Sequence, residues 1–459
     1  MNKALLGIDL GTSSVKVLLY HPDGRIEKAR AAYEEISPAG WLRGMQKALS
    51  ALDCRRVGAI SLSAQTGTYI VNGKTVIGWS DPAGREELPR IRDAFSADHF
   101  VREIGMPHPA ILSYPLPRML YMKQHFGAVE QICQPKDLLL TYLTGERVSD
   151  IWTWRGLAHP ETGAYSKALL AHWGLDAAWL PPLAPADRVV GRVTPSAAAE
   201  TGLPVGTPVV NGLNDFFAGL VGMGIPTLSP LFDVTGTSEH FGAVEEQFTP
   251  ETGLVSGRFL RGFVRYGGTA SSGTSLAFGR REFGPLQGDP AAFLAEKPPL
   301  FLPYLNGERA PIFDSNARGV FFGMGKDCDK QALSYAVLEG VAFSMYQIAE
   351  HLGHLPEGRI LLGGGAARDP LLGQLKATLF DRAFVTLRES DTSALGAAML
   401  AGLGSGAFAD LQDAVRTCVQ TDTVFSPVPA VREALLSRYA VFKRLYPALK
   451  DEFQLFKEI

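Results

Sequence analysis

Four short stretches of this 459-residue chain combine acids, hydroxyls and glycines in patterns that suit phosphate chemistry. The first is Asp9-Leu10-Gly11-Thr12-Ser13, between an apolar run at residues 4–8 and a β-branched run at residues 15–20. Such a hairpin turn offers backbone N–H groups and hydroxyls without bulk, a concavity that fits phosphate oxygens. Asp9, at the strand end, is a candidate to hold Mg²⁺ directly or through water, and Lys16 to add positive charge. Alone, the same turn reads equally well as an ordinary hairpin. The second stretch, Thr235-Gly236-Thr237-Ser238, follows Leu231-Phe232-Asp233-Val234 and repeats the pattern of an apolar strand, an Asp, then Gly-Thr-Ser. The third, Gly363-Gly364-Gly365-Ala366-Ala367, stands between a predicted strand and a predicted helix, where a ligand can lie on backbone and the helix start favours an anion. It is not the dinucleotide fingerprint, because Arg368 occupies the place of the last glycine. In the fourth, Asn211 to Gly219, Asp215 follows a strand and opens a helix rich in small residues. Phosphoryl transfer needs positioning, charge stabilisation and a group to take the hydroxyl proton, and Asp215 fits that last role. Its plainer reading is a helix N-cap.

The elements that must position these residues alternate between strand and helix, which makes the chain α/β. The opening is a hairpin. Residues 41–52 have helical spacing, residues 57–62 read as a buried strand, and residues 119–125 and 137–143 as helices. Pro115 and Pro117 argue against helix before Arg118. Residues 331–347 form a long amphipathic helix with Gly340 inside it, which implies a close contact there. A strand is expected at 359–362, a helix at 369–380, a strand at 383–387, a helix at 393–403 and a helical tail at 431–456. Gly222 ends a helix, and a second lobe is expected from residue 223. Two similar turns opening two halves suggest a duplicated architecture with a cleft between the halves.

Composition excludes several function classes. The hydrophobic fraction of 46%, the charged fraction of 20% and the net charge of −3 describe an ordinary globular chain with no basic footprint for nucleic acid. With Asp9 interrupting the first apolar run and no stretch of about 18 apolar residues, neither a signal peptide nor a membrane span is expected. Four widely spaced cysteines read as thiols of a reducing compartment, and the chain is placed in the cytoplasm. Several partial motifs carry no function. Residues 67–75 end in Gly-Lys-Thr with one residue too many for a P-loop. Ser13-Ser14-Val15-Lys16 lies in a strand. His351 and His354 lack a third ligand, and Trp152 and Trp154 read as packing.

In this order the segments resemble the FGGY carbohydrate kinases of the actin–hexokinase–Hsp70-like group. The resemblance runs over nearly the whole chain. It includes Pro135-Lys136-Asp137 through Leu143-Thr144-Gly145-Glu146, Gly307-Glu308-Arg309-Ala310-Pro311, Glu339-Gly340, Gln374, and Ser393-Ala394-Leu395-Gly396. It implies two ribonuclease H-like, actin-like ATPase lobes with an interlobe cleft: residues 1–222 for the sugar and the base, residues 223–459 for the nucleotide. It implies ATP and Mg²⁺ as cofactors, with Asp9 on the metal. Gly11, Thr12, Ser13, Thr235, Gly236 and Thr237 would face the phosphates, Gly364, Gly365 and Gln374 would lie on the nucleotide side, and Asp215 would act as base as the lobes close to exclude water. Gln65, Thr66, Trp79, Asp81, Asp215 and Phe216 resemble the sugar side of xylulokinases, which makes a ketopentose such as D-xylulose the leading acceptor. Departures are Gln65-Thr66-Gly67 for Gln-Met-His-Gly, Phe216 for Asn, a displaced Arg85, and Glu239 for the usual glycine after the second turn. A different ketose, a sugar acid or a polyol stays open. A small sugar is the expected partner, without nucleic acid or membrane, and the group's frequent homodimers carry over as an expectation. The rivals are a catalytically silent sugar- and nucleotide-binding regulator of the same fold, and an Hsp70-like or actin-like ATPase without a sugar.

Overall fold

The computed structural model describes residues 3–107, 111–286 and 297–457. The chain divides into two compact units, and not by a single cut. The first contains Met1–Leu228, Ser256–Arg261 and Asp391–Val419; the second contains Ser229–Val255, Gly262–Ser390 and Gln420–Ile459.

The first unit is built on β1 (Ala4–Leu10), β2 (Ser14–Tyr20), β3 (Ile26–Ala32), β4 (Val57–Ala64), β5 (Val189–Arg192) and β6 (Pro208–Asn214). Their order across the sheet is β3-β2-β1-β4-β6-β5. β1, β2 and β3 pair antiparallel, β4 and β6 add parallel to β1, and β5 closes the edge antiparallel. Every residue of β1 is buried, as in a strand covered on both faces. Leu6, Ile8, Leu10, Ile60, Leu62 and Val209 join the core with Trp41 and Met45 of the helix Pro38–Leu49. Each such side chain contributes roughly 1.5–3 kcal/mol on burial. The helix Thr392–Gly404 crosses the sheet near Gly7, where an added Cβ would fall 2.0 Å from the Ala394 carbonyl oxygen.

The second unit contains β7 (Leu231–Thr235), β8 (Glu239–Glu245), β9 (Phe263–Gly268), β10 (Ile360–Gly364), β11 (Phe384–Leu387) and β12 (Thr421–Phe425). Their order is β9-β8-β7-β10-β11-β12. Again three strands pair antiparallel, two add parallel, and an antiparallel strand follows. The same ribonuclease H-like plan is thus present twice, as the paired turns suggested.

The long helix is Lys330–Leu352, and Gly340 meets Phe301 so closely that a Cβ would lie 2.2 Å from its carbonyl oxygen. One expectation fails: a helix begins at Pro115 and continues to His125. Proline is tolerated in a first turn because the N–H it lacks has no intrahelical partner there. Among the described residues no helix is long and apolar enough to cross a membrane.

Candidate functional site

In the first unit, parallel register brings the chemistry to one edge. Asp9 pairs with Ser63 and Leu10 with Ala64 across β1 and β4, and Ala64 pairs with Asn214 across β4 and β6. Asp9, Gln65 and Asp215 therefore stand at the carboxyl ends of three adjacent strands, the edge where open α/β sheets bind ligands.

Asp215 is the first residue of the helix Asp215–Gly222, but it is not the cap. Asn214 caps, accepting from Phe217 N–H at 3.0 Å while its Nδ2 donates to the Trp152 carbonyl oxygen at 2.8 Å. Trp152 stacks on Phe217 with ring centroids 3.7 Å apart, confirming a packing role for that tryptophan. The helix is also locked against Thr392–Gly404, where a Cβ on Gly222 would lie 2.0 Å from the Thr392 carbonyl oxygen. With capping done by its neighbour, Asp215 is left half-buried, its Oδ1 accepting from Phe216 N–H at 2.8 Å. Burial, and then the charge of Asp9, push its carboxyl up to about 6, against the Phe216 N–H and the Arg155 guanidinium. Phe216 itself lies edge-on to Phe217.

Asp9 is buried, and Ser63 Oγ donates to its Oδ1 at 2.8 Å. Burial raises its pKa, while the Ser63 hydroxyl and the Lys16 charge pull the other way. Lys16 belongs to an ion-paired cluster. It is engaged by Asp391 at 2.7 Å, which also receives Lys28 at 3.0 Å, so the added charge expected of Lys16 is already committed. The turn is closed by Gly11 N–H donating to the Ser14 carbonyl oxygen at 3.0 Å and by Tyr33 Oη donating to the Gly11 carbonyl oxygen at 2.6 Å. Thr12 and Ser13 are exposed at its tip.

Gln65 N–H donates to the Leu10 carbonyl oxygen at 2.8 Å, which ties it to the same turn. Among the described residues its Oε1 is buried without a hydrogen-bond partner. Arg155 Nη1 donates to Thr66 Oγ1 at 3.0 Å. Gln134 bridges the neighbouring loops, accepting from Gly67 N–H at 2.8 Å and donating to the Thr153 carbonyl oxygen at 2.5 Å. Trp79 and Asp81 are held differently. Buried Arg118 donates to the backbone oxygens of Gly78, Trp79, Asp81 and Ala83, which shapes the loop, and Trp79 is 55% exposed. Among the described residues neither makes a hydrogen bond or ion pair with Asp9, Gln65, Thr66 or Asp215. Arg155 and Arg118 were missed from sequence. Each is a lone arginine in a turn or a helix, with no motif to mark it.

In the second unit, the turn after β7 exposes Gly236 and Thr237 and closes through Gly236 N–H to the Ser238 carbonyl oxygen at 2.7 Å. Gly273 N–H donates to the Gly236 carbonyl oxygen at 3.0 Å, and buried Thr235 donates through Oγ1 to the Gly363 carbonyl oxygen at 2.9 Å. The likeness to the first turn has a one-residue offset. Asp9 stands two residues before Gly11, but Asp233 stands three before Gly236. Val234 takes the place of Asp9, and a shift of one residue turns a strand side chain to the opposite face. Asp233 is accordingly in the core, bonded to Lys376.

Gly364 has φ +88°, and a Cβ there would lie 1.9 Å from the Thr235 carbonyl oxygen. Gly365 is exposed and opens a short 3₁₀ turn rather than an α-helix. The α-helix Pro370–Phe380 starts later and is capped by Asp369, whose Oδ1 accepts from Leu371 and Leu372 N–H at 3.1 Å each. A carboxylate thus fills the anion site expected at that helix start. Gln374 turns its Nε2 to the Ser426 carbonyl oxygen at 2.6 Å. A cavity of about 220 Å³ opens beside Asp369, lined among others by Leu276, Gly279, Arg280, Ser334 and Val337, residues that no sequence pattern had marked.

Comparison with known proteins supplies the remaining observations. The pattern described as the FGGY family of carbohydrate kinases, N-terminal domain, matches residues 4–222, and its C-terminal domain matches residues 234–405. The xylulose kinase of Bacillus subtilis (strain 168) is 28% identical over 492 residues, covering 98% of either chain. The ligand-bound xylulose kinase structure from Lactobacillus acidophilus superposes with a TM-score of 0.88 at 22% identity, covering 99% of this chain and 100% of that one. The gluconate kinase structure from the same organism gives 0.88 at 22% identity, covering 99% of each.

Proposed function

The chain belongs to the FGGY family of carbohydrate kinases, and from that premise we propose that it phosphorylates a ketopentose such as xylulose, with ATP as donor and Asp215 as general base. The observation that carries this reading is the Asp9–Asp215 pair at one sheet edge, with Asp215 held at about 6. A carboxylate with that value is ionised at neutral pH yet more basic than an ordinary one, as a proton acceptor for a sugar hydroxyl should be. Full-length relatives named xylulose kinase support the acceptor.

In this reading Asp215 orients the attacking hydroxyl and takes its proton as the bond to phosphorus forms and ADP leaves. Gln65 Oε1 accepts from a second sugar hydroxyl, and Thr66, fixed by Arg155, lines the same wall with Phe216. Trp79 and Asp81 border the acceptor from their Arg118-shaped loop. Gly11, Thr12 and Ser13 in the first unit, and Thr235, Gly236 and Thr237 in the second, offer N–H and hydroxyl donors that bind phosphate oxygens. Gly364 and Gly365 let the nucleotide approach backbone, the cavity beside Asp369 takes its base, and Gln374 keeps a carbonyl oxygen for it.

Asp9 is the residue that would hold magnesium. Its Oδ1 is bonded to Ser63, leaving the second oxygen as a donor, and magnesium is content with one carboxylate, several waters and substrate phosphates. When bound, magnesium supplies neutralisation of phosphate charge. ATP and magnesium point to the cytoplasm as the working compartment.

A panel of ketopentoses, aldonates and polyols, assayed with Mg-ATP by coupled ADP release, tests the proposal. Sugar-dependent ADP release that is strongest with a ketopentose is expected. Binding of sugar and nucleotide without turnover would indicate a silent regulator, and hydrolysis unchanged by any sugar would indicate a bare ATPase.

A further inference from the structure

The turn after β7 rests on a buried charge cluster. Asp233, Glu239 and Lys376 have no exposed side-chain surface. Lys376 Nζ donates to Asp233 Oδ2 at 2.7 Å and to Glu239 Oε1. Among the described residues Asp233 Oδ1 and Glu239 Oε2 are buried without a hydrogen-bond partner. Burial, and then the Glu239 charge, hold the Asp233 carboxyl well above its ordinary value, while the Lys376 charge pulls the other way.

The placement follows from register. Thr235 lies opposite Glu239, and Asp233 is two residues before Thr235, so all three project to one face. That face meets the helix Pro370–Phe380, which follows the glycine loop Gly364-Gly365. Lys376 therefore fastens both stems of the turn Gly236-Thr237-Ser238 to the element that carries the other nucleotide-side loop. Glu239 is anchored through its backbone as well, since its carbonyl oxygen accepts from Thr269 N–H at 2.9 Å. Apolar side chains would fill such a space at lower cost than three buried ionisable groups, so stability alone does not account for them. Glu239 is also the residue that departs from the glycine expected after the turn.

We propose that Lys376, held by Asp233 and Glu239, is a positioning residue for nucleotide binding: it fixes the turn after β7 relative to Gly364-Gly365, so that their backbone groups meet a polyphosphate in one geometry. This rests on reading the second unit as the nucleotide-binding one. Loss of this pre-set geometry weakens substrate and transition state alike, so KM for ATP rises while kcat at saturating ATP stays.

Steady-state kinetics of Lys376→Met and Glu239→Gln, with Kd measured for a fluorescent ATP analogue, tests it. Lys376→Met is expected to raise KM for ATP and Kd about tenfold, Glu239→Gln about threefold, with KM for the sugar and kcat within about twofold of wild type. If Lys376→Met does not accumulate folded, Glu239→Gln decides, because it keeps the Lys376–Asp233 pair and the shape of the acid. A folded variant with unchanged Kd, or with both KM values raised in parallel, overturns the positioning role. Wild-type protein that binds no nucleotide would instead overturn the kinase reading on which it rests.

Discussion

With its carboxyl raised to about 6, Asp215 as the proposed base gains a proton below that pH and can then no longer accept one from a sugar. The rate should therefore fall about tenfold per pH unit below that point and level off above it. The causes of the shift set the signs of two further changes. Arg155 lowers the Asp215 value, so Arg155→Met should move the acid limb of kcat/KM to higher pH, by about half a unit to one unit. Asp9 raises it, so Asp9→Asn should move the limb the other way, together with a higher magnesium requirement. Profiles of kcat/KM from about pH 5 to 8.5 check both. At this scale the acids themselves were legible, because an Asp after a strand and before a small-residue helix is a local pattern. Their environment was not. Arg155 reaches Thr66 across 89 residues and Asp391 reaches Lys16 across 375, and pairings of that kind are decided by the folded chain.

Two adjacent glycines separate architecture from ligand contact at the scale of the element. Gly364 combines a left-handed φ with a neighbouring carbonyl that leaves no room for a Cβ, whereas a Cβ at Gly365 meets nothing within 4 Å. Gly364→Ala should lower unfolding free energy by more than about 2 kcal/mol; Gly365→Ala should change it by less than about 0.5 kcal/mol while raising KM for ATP. Urea denaturation beside steady-state kinetics distinguishes the two. Arg118 makes a parallel case. Four carbonyl oxygens depend on it, so Arg118→Met should cost roughly 2–4 kcal/mol and raise KM for the sugar more than KM for ATP. Helices and strands with clear periodicity were readable to within a few residues. The helix start at Pro115 was not, because proline forbids the interior of a helix and not its first turn. The Asp233 offset was in plain view as spacing, but its consequence, a carboxylate turned to the core, emerges only once strand register is known.

Both units carry the same sheet plan, and the two Gly-Thr-Ser turns open them at equivalent places, between the first and second strands. The duplication was therefore legible from two short matching segments. Less legible was the return of Asp391–Val419 to the first unit, where Asp391 engages Lys16 and the helix Thr392–Gly404 packs against the helix Asp215–Gly222 at Ala218 and Gly222. No local signal says to which of two similar sheets a late helix returns; glycine-mediated contact with Gly7 and Gly222 decides it. The division of labour we propose is that the first unit readies the acceptor hydroxyl and the second holds the nucleotide. Its most direct test is the turnover of Asp215→Asn at saturating ketopentose and Mg-ATP, with nucleotide Kd measured on the same sample. The account predicts a loss of about 10²–10⁴-fold in kcat with Kd unchanged. Near-wild-type turnover in a folded Asp215→Asn protein would contradict it.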